Sequence, residues 1–234
     1  GFEEYQEGYK ASYWTMADRA YTKYVYPGGI AGRQANDFSM KIQTDNYTGD
    51  TFENGVPYLH IYTRNSNPGE GNLGLTDYAP THVEYSLLIE GDDYDEVNFW
   101  TMPAGTSDDW FKAITFKNDL NAYDKNGNVV DSYRKNQWIK VEVSIYPSGN
   151  AIVKLNGKTV YNGTCFENVS DKRMLRFKME QAFWQEEGVS KSGAFYIDDL
   201  KVYQGSYNVK ASESDMRLEA KNNDYADYAV YNSG

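Results

Sequence analysis

The chain has 234 residues, a formal net charge of −11 and a single cysteine, Cys165. This length suits one large β-sandwich with an ample core, and two small domains are the weaker alternative. The negative charge argues against nucleic acid and anionic membrane surfaces as partners, because the field of the whole protein repels phosphate. One cysteine excludes an intrachain disulfide. No apolar run is long enough to span a bilayer, so we expect no membrane insertion.

An informative β-strand is predicted from Val56 to Arg64, where the sequence reads VPYLHIYTR. Leu59 and Ile61 would face a core, and the alternate positions carry Tyr58, His60, Tyr62 and Arg64. Aromatic rings interleaved with hydrogen-bonding groups suit a sugar, whose C–H faces stack on rings while its hydroxyls need donors and acceptors. The alternative is a tyrosine-rich ladder that only stabilises the sheet.

Two further strands are predicted in HVEYSLLIEG and EVNFWTM, separated by an acidic turn. In the second strand Val97 and Phe99 share one face, which leaves Asn98 and Trp100 on the other. Trp100 is therefore a candidate platform for a sugar ring, although burial is the commoner fate of a tryptophan.

The clearest sheet signal lies in residues 137–163, QWIKVEVSIYPSGNAIVKLNGKTVYNG. Apolar residues alternate with mostly polar ones, and Asn156-Gly157 favours a two-residue hairpin turn, so three antiparallel strands are predicted. A tryptophan that opens a strand, followed by a turn and LNGKTVY, resembles the back-sheet strands of concanavalin-like (laminin-G-like) jelly-roll domains. The resemblance implies an all-β fold with two antiparallel sheets packed as a β-sandwich. We expect its core to include Ile139, Val141, Val143, Leu175, Phe177 and Ile197.

The segment RMLRFKMEQAFWQ alternates apolar and charged residues. Leu175, Phe177 and Met179 would face the core, and the positions between them carry Arg176, Lys178 and Glu180. These charges form either a solvated face or the floor of a groove beside the Tyr58–Arg64 strand. In the second case Trp184 would stand at the rim of that groove.

The last predicted strand, FYIDDLKVYQG, contains two adjacent acids that cost stability unless they are paired or bound to metal. Secreted jelly-roll modules commonly begin with an F-E pair and end with I-D-D-V-x-V, which is similar to Phe2-Glu3 and to IDDLKV around Asp198 and Asp199. In carbohydrate-binding modules of this type a structural calcium joins the two ends. The resemblance therefore implies a Ca²⁺ site that includes Glu3, Asp198 and Asp199. Two consecutive strand residues point to opposite sides, so both acids can face one ion only if the strand bulges.

The resemblance spans residues 1–205, and residues 206–234 are predicted to be a linker, an edge strand or the start of a further β-domain. It implies a noncatalytic, lectin-like module that binds a polysaccharide and belongs to a larger multidomain protein. A composition rich in Tyr, Asn, Asp, Thr and Gly is typical of bacterial β-domains that are extracellular or on the cell surface.

Two other classes remain open. A polysaccharide lyase needs a cation to neutralise a uronate carboxylate and a Tyr or His to remove the proton at C5. His60, Tyr62, Arg64, Arg176 and Lys178 are of suitable types, but the Q-I-H and R-x-E-L elements of jelly-roll alginate lyases are missing. A structural or adhesive domain without a sugar ligand is the third class.

Overall fold

The computed structural model describes residues 21–26, 39–47, 58–63, 75, 78–92, 94–105, 110–182 and 191–205, and every helix or strand in these ranges is a β-strand. The back sheet has seven described strands in the order β1-β2-β13-β4-β9-β10-β11. Their bounds are Tyr21–Tyr26 (β1), Ser39–Tyr47 (β2), Thr81–Glu90 (β4), Ile139–Ile145 (β9), Asn150–Leu155 (β10), Lys158–Thr164 (β11) and Lys191–Gln204 (β13).

The front sheet has six described strands in the order β3-β12-β5-β6-β7-β8. Their bounds are Tyr58–Tyr62 (β3), Glu96–Pro103 (β5), Phe111–Lys117 (β6), Asn121–Tyr123 (β7), Val129–Ser132 (β8) and Met174–Ala182 (β12). Neighbouring described strands are antiparallel throughout. The predicted all-β sandwich is confirmed. Within the described ranges, no helix has the length and apolar character that crossing a membrane requires.

The core lies between the two sheets and is built by the period-2 alternation of both. On β9 the inward residues Ile139, Val141, Val143 and Ile145 are buried, whereas Lys140 between them is exposed. Aromatic rings pack both between and within the sheets: Tyr85 of β4 stacks across the core on Phe99 of β5 at 5.7 Å, and Phe99 stacks on Phe177 of the neighbouring strand β12 at 5.5 Å. Offset ring pairs of this kind stabilise a core beyond the area that they bury.

One predicted core residue is wrong. Leu175 is partly exposed, and the neighbouring Met174 is fully buried in its place. The reason is a β-bulge, because the register of β12 against β5 shifts between Met174 and Arg176. An extra residue in one strand reverses the facing of the residues before it, which strict alternation cannot anticipate. The other five predicted core residues are buried.

The predicted turn at Asn156-Gly157 is confirmed, since both residues have positive φ, 49° and 82°. This is the left-handed backbone that a two-residue hairpin turn requires and that Asn and Gly adopt at low cost. A bulge, which is the condition for both paired acids to face one ion, is also present. The register of β13 against β4 shifts between Asp198 and Lys201, and Asp199 has a φ of 51°.

Candidate functional site

The outer surface of the front sheet carries the charged residues of β12. Arg176, Lys178 and Glu180 alternate with the buried Phe177 and Met179. On β5 the residues directly opposite these three are Met102, Trp100 and Asn98. On β6, Lys112 lies opposite Trp100. Residues paired across antiparallel strands share one side of the sheet, so the predicted Trp100 and the cations of β12 meet on this surface.

Strand β3 lies on the other side of β12, and the structure describes its backbone. The register places Tyr62 opposite Arg176, His60 opposite Lys178 and Tyr58 opposite Glu180. The strand that contains the predicted tyrosines and histidine is therefore the direct neighbour of the strand that contains the predicted cations. Arg64 and Trp184, which were predicted to extend this surface, lie outside the described residues.

A nearly buried carboxylate organises the centre of the surface. Glu180 is 5% exposed, and its Oε1 accepts a hydrogen bond from the indole Nε1 of Trp100 at 2.5 Å and one from the Asn98 amide at 3.4 Å. Its Oε2 pairs with the Lys178 ammonium at 2.6 Å. A carboxylate this far from water is stable only when such partners replace its hydration. Glu180 thus holds the Trp100 ring and the Lys178 charge at fixed positions.

Glu96 repeats this arrangement one strand further into the sheet. It is 7% exposed, and its Oε2 accepts from the Lys112 ammonium at 2.6 Å. Lys117 approaches its other oxygen at 3.7 Å. The Asn98 amide donates to Glu96 at 3.3 Å as well as to Glu180, and its carbonyl accepts from the Thr115 hydroxyl at 2.9 Å. Asn98 therefore bridges the two carboxylates, and we call Glu96, Asn98, Thr115 and Glu180 the buried polar network.

The same cations also lie over the rings of two tryptophans. The ammonium groups of Lys112 and Lys178 lie 5.1 and 5.8 Å from the centroid of the Trp100 ring. The Arg176 guanidinium and the Lys178 ammonium lie 4.7 and 5.4 Å from the Trp110 centroid. The two indoles themselves meet edge to face at 6.5 Å. We call Trp100, Trp110, Lys112, Arg176 and Lys178 the basic face.

The sign of the charge on this surface differs from that of the chain. Among the described residues of β5, β6 and β12 discussed above, the cations Lys112, Lys117, Arg176 and Lys178 stand against the carboxylates Glu96 and Glu180. Two positive charges therefore remain locally on a chain whose formal net charge is −11. A local excess that opposes the overall sign concentrates anions at that surface.

Trp110, Lys112 and Glu96 were not predicted as site residues, although the sequence contains a signal for the first two. Trp110 and Lys112 stand two positions apart in WFKAITFKN, which places them on one side of a strand. The register of β6 against β5 shifts at Phe99/Trp100, so Ala113 is an extra residue of β6. This extra residue interrupts the period-2 alternation between Lys112 and Thr115. Because of this bulge, the alternation of the sequence does not show that Lys112 and Thr115 lie on the same side of the sheet.

Two of the three predicted calcium ligands, Asp198 and Asp199, lie on β13 of the back sheet. Asp198 is fully buried, and its Oδ1 accepts from the Asp199 backbone amide at 2.7 Å. The Asp199 Oδ2 accepts from the Ser86 hydroxyl at 2.8 Å. Glu3, the third predicted ligand, lies outside the described residues, and within those residues no group of three or more His, Cys, Asp or Glu is placed to hold a metal. The described oxygens are of the type that calcium prefers, and they supply only part of its usual six to eight ligands.

Cys165 is buried directly after β11, where its thiol donates to the Gly149 carbonyl at 3.1 Å. Burial raises the pKa of this thiol to about 12. It is therefore a small core residue that stays protonated at neutral pH and is no candidate for a nucleophile.

No protein-family model matches the chain, and no curated protein matches it in sequence. Solved structures do resemble it. An endo-β-1,4-glucuronan lyase from the fungus Trichoderma reesei has a TM-score of 0.56 at 10% identity, over 86% of this chain and 94% of that one. The cellulose induced protein Cip1 has a TM-score of 0.55 at 12% identity, with 86% and 94% covered.

A sialidase resembles the chain with a TM-score of 0.54 at 10% identity, over 86% of this chain but only 18% of the sialidase. The chain thus corresponds to a small part of that longer protein and to nearly the whole of the other two. The structural similarity establishes the shared fold, a concanavalin-like jelly roll. At identities this low the activity has to be argued from the site itself.

Proposed function

We propose that the chain is a noncatalytic carbohydrate-binding domain of a larger extracellular protein, and that its basic face binds an anionic polysaccharide. The observation that carries the proposal is the arrangement of Lys112, Arg176 and Lys178 around two tryptophans on one sheet surface. The similarity of the fold to that of a glucuronan lyase is consistent with a uronate-containing ligand.

The positions of the cations favour an anionic sugar over a neutral one. A pyranose stacks on a tryptophan only where a ring face is open, and cations already lie within 6 Å of the Trp100 and Trp110 centroids. Displacing such a cation costs about 0.5–2 kcal/mol. A carboxylate on the sugar uses the cation where it stands, and the indole edges remain available for the apolar side of the sugar. The tryptophans therefore act first as supports for charge and second as contact surface.

The buried polar network makes the basic face rigid before any ligand arrives. Lysine and arginine side chains lose about 1.5–2 kcal/mol of rotamer entropy when they become fixed. Here Glu96 and Glu180 fix Lys112 and Lys178 in the unliganded protein, each at 2.6 Å. Much of the ordering cost of binding is therefore met during folding, which is how preorganised sites gain affinity.

The test compares two variants that remove the same charge from opposite sheets. Arg176→Gln removes a cation of the basic face, and the control Lys140→Gln removes one from the outer surface of the back sheet, where its side chain is 53% exposed. Affinity electrophoresis in gels with a polyuronate should retard the wild type and Lys140→Gln equally. Arg176→Gln should bind about tenfold more weakly, as expected for the loss of one charge-assisted contact of about 1.5 kcal/mol.

Gels with a neutral glucan supply the second arm. We expect little retardation there, and the retardation by polyuronate should decrease as salt increases, because screening weakens partly exposed charges. Equal retardation by both polymers, or equal losses in the two variants, would contradict an anion-binding front sheet.

A polysaccharide lyase is the second candidate, and the backbone register favours it. His60 and Tyr62, residue types that remove a proton, lie opposite Lys178 and Arg176, residue types that neutralise a carboxylate. If the chain is a lyase, incubation with polyuronate should release unsaturated uronate that absorbs in the ultraviolet. His60→Ala should then abolish the product and leave polyuronate binding largely in place. Binding without any absorbing product supports the noncatalytic function.

A structural calcium at Asp198 and Asp199 is part of this proposal. The bulge in β13 and the positive φ of Asp199 turn two consecutive acids away from strict alternation, as a shared ion requires. Asp198 is fully buried, and a cation beside it would offset the cost of burying its charge. When bound, the calcium would stabilise the fold and would not contact the ligand, because the basic face lies on the other sheet.

A further inference from the structure

An exposed aromatic ring stands beyond one end of the basic face. Tyr78 is 73% exposed, and no other aromatic side chain among the residues whose burial is described is exposed. It precedes β4 at the end of the sandwich. An open ring that is held in place can stack on the C–H face of a sugar, so its position relative to the basic face decides whether it can contact the same ligand.

Tyr78 is held by an arginine that is itself held. The Arg173 guanidinium lies 5.5 Å from the Tyr78 centroid. Its Nη2 donates to Asp171 Oδ2 at 2.6 Å, and its Nε donates to Asp171 Oδ1 at 2.9 Å, which is a two-point contact that fixes the plane of the guanidinium. The guanidinium covers one face of the ring, and the exposure of 73% leaves the rest open.

The backbone beneath this pair is closely packed. The Gly105 amide donates to the Asp171 carbonyl at 3.0 Å. A Cβ on residue 105 would lie 2.6 Å from the Asp171 amide nitrogen, so this approach requires glycine. Asp171, which fixes Arg173, is therefore hydrogen-bonded to the backbone just beyond the end of β5 in the front sheet.

The distance to the basic face is short. The Ala104 amide donates to the Arg173 carbonyl at 2.9 Å, and Ala104 lies two residues beyond Met102, which is opposite Arg176. At about 3.3 Å per strand residue, Arg173 lies about 7 Å beyond Arg176 along the sheet. A polysaccharide chain that follows the basic face in this direction therefore reaches Tyr78.

We propose that Tyr78 and Arg173 form an end subsite, in which a sugar ring of the bound polysaccharide stacks on the open face of Tyr78. The inference rests on the proposed function and extends it. The basic face reads the charge of the polymer, whereas the end subsite contacts a C–H face and needs no charge on that sugar, because Asp171 already neutralises Arg173. A protein partner would fit less well, since the side chains described around the ring, Arg173 and Asp171, are polar and offer no apolar patch.

The subsite makes affinity depend on ligand length. Short oligouronates that fill only the basic face should bind wild type and Tyr78→Ala equally. Longer oligouronates that reach the end of β5 should bind Tyr78→Ala about 3- to 10-fold more weakly, as expected for the loss of one aromatic stacking contact. Tyr78→Phe should keep most of the affinity, because it retains the ring. Isothermal titration with a series of purified oligouronates measures all of this directly.

Val129→Ala is the matched control, since Val129 is an apolar residue of β8 that is 58% exposed. It should bind every length like the wild type. Equal affinities of wild type and Tyr78→Ala for all lengths that bind would overturn the end subsite and leave the basic face intact. A uniform loss across all lengths would also overturn it, because that result indicates a general disturbance of the fold. A wild type that binds no oligouronate would overturn both the subsite and the proposed function.

Discussion

Replacement of Glu180 by Gln tests whether the buried polar network holds the basic face. The change keeps the shape of the side chain and one oxygen that can accept from Trp100, but it removes the charge that faces Lys178 at 2.6 Å. Breaking a fully buried ion pair costs about 3–5 kcal/mol, and breaking an exposed one costs about 0–1 kcal/mol. The Lys178 side chain is 24% exposed and that of Glu180 is 7% exposed, so we expect an intermediate loss of about 2 kcal/mol in the free energy of unfolding.

Urea denaturation followed by tryptophan fluorescence measures this loss, with an unchanged m-value as evidence that the unfolding transition stays the same. The melting temperature should fall by about 4–8 °C for a domain of this size. The matched control is Glu142→Gln, because Glu142 pairs with Lys140 at 3.7 Å on the outer surface of the back sheet. That pair is more exposed, and its loss should cost less than about 1 kcal/mol.

A double-mutant cycle separates the ion pair from other effects of the substitution. Lys178→Met alone leaves Glu180 nearly buried without its cation, whereas the double variant removes both charges. We expect a coupling energy of about 1–3 kcal/mol between the two positions. The reasoning fails if Glu180→Gln costs no more than Glu142→Gln and the coupling is close to zero.

Two further predictions concern the back sheet. After exhaustive metal removal, millimolar calcium should raise the melting temperature by the equivalent of about 2.7 kcal/mol at a hundredfold excess over Kd, and Asp198→Asn should abolish this response; equal melting temperatures with calcium and with chelator would rule the site out. Burial lowers the pKa of His82, whose Nδ1 lies 2.7 Å from the Ser144 hydroxyl oxygen. As pH falls below about 6.5 the unfolded chain therefore binds the proton first and stability decreases. His82→Gln should flatten that part of the pH profile, and parallel profiles would refute the assignment.

The strands could be predicted from the sequence because the alternation of apolar and polar residues is visible within each strand. Ile139, Val141 and Val143 alternate without interruption, and β9 has neither a bulge nor an acid on its inner side. Prediction failed for Leu175, where an added residue shifts the facing of the side chains. At Asp198-Asp199 the sequence indicated only that two adjacent acids in a β-favouring strand need a partner or a metal, and a bulge was the condition for both to face one ion.

The composition of the candidate site depends on pairings between distant parts of the chain. Trp100 and Glu180 are 80 residues apart in sequence, and their hydrogen bond exists because β5 and β12 are neighbours. Period-2 patterns indicate the face on which each residue lies, and they do not indicate which strands are adjacent. For this reason the cations of β12 were predicted from their own alternation, whereas Glu96 and Lys112 were not.

The hydrogen bonds of the cations bear on the choice between binding and catalysis. Lys178 and Lys112 each donate to a nearly buried carboxylate at 2.6 Å, and an ammonium group in such a contact is a fixed positive charge with no free lone pair for a proton. These lysines can attract and orient a uronate, but neither is placed to remove a proton from it. A lyase built on this face would need its base from β3, where His60 and Tyr62 lie beside Lys178 and Arg176 in register. Proton removal would therefore depend on β3 and charge recognition on β12, and His60→Ala should abolish any lyase product while polyuronate binding stays largely in place.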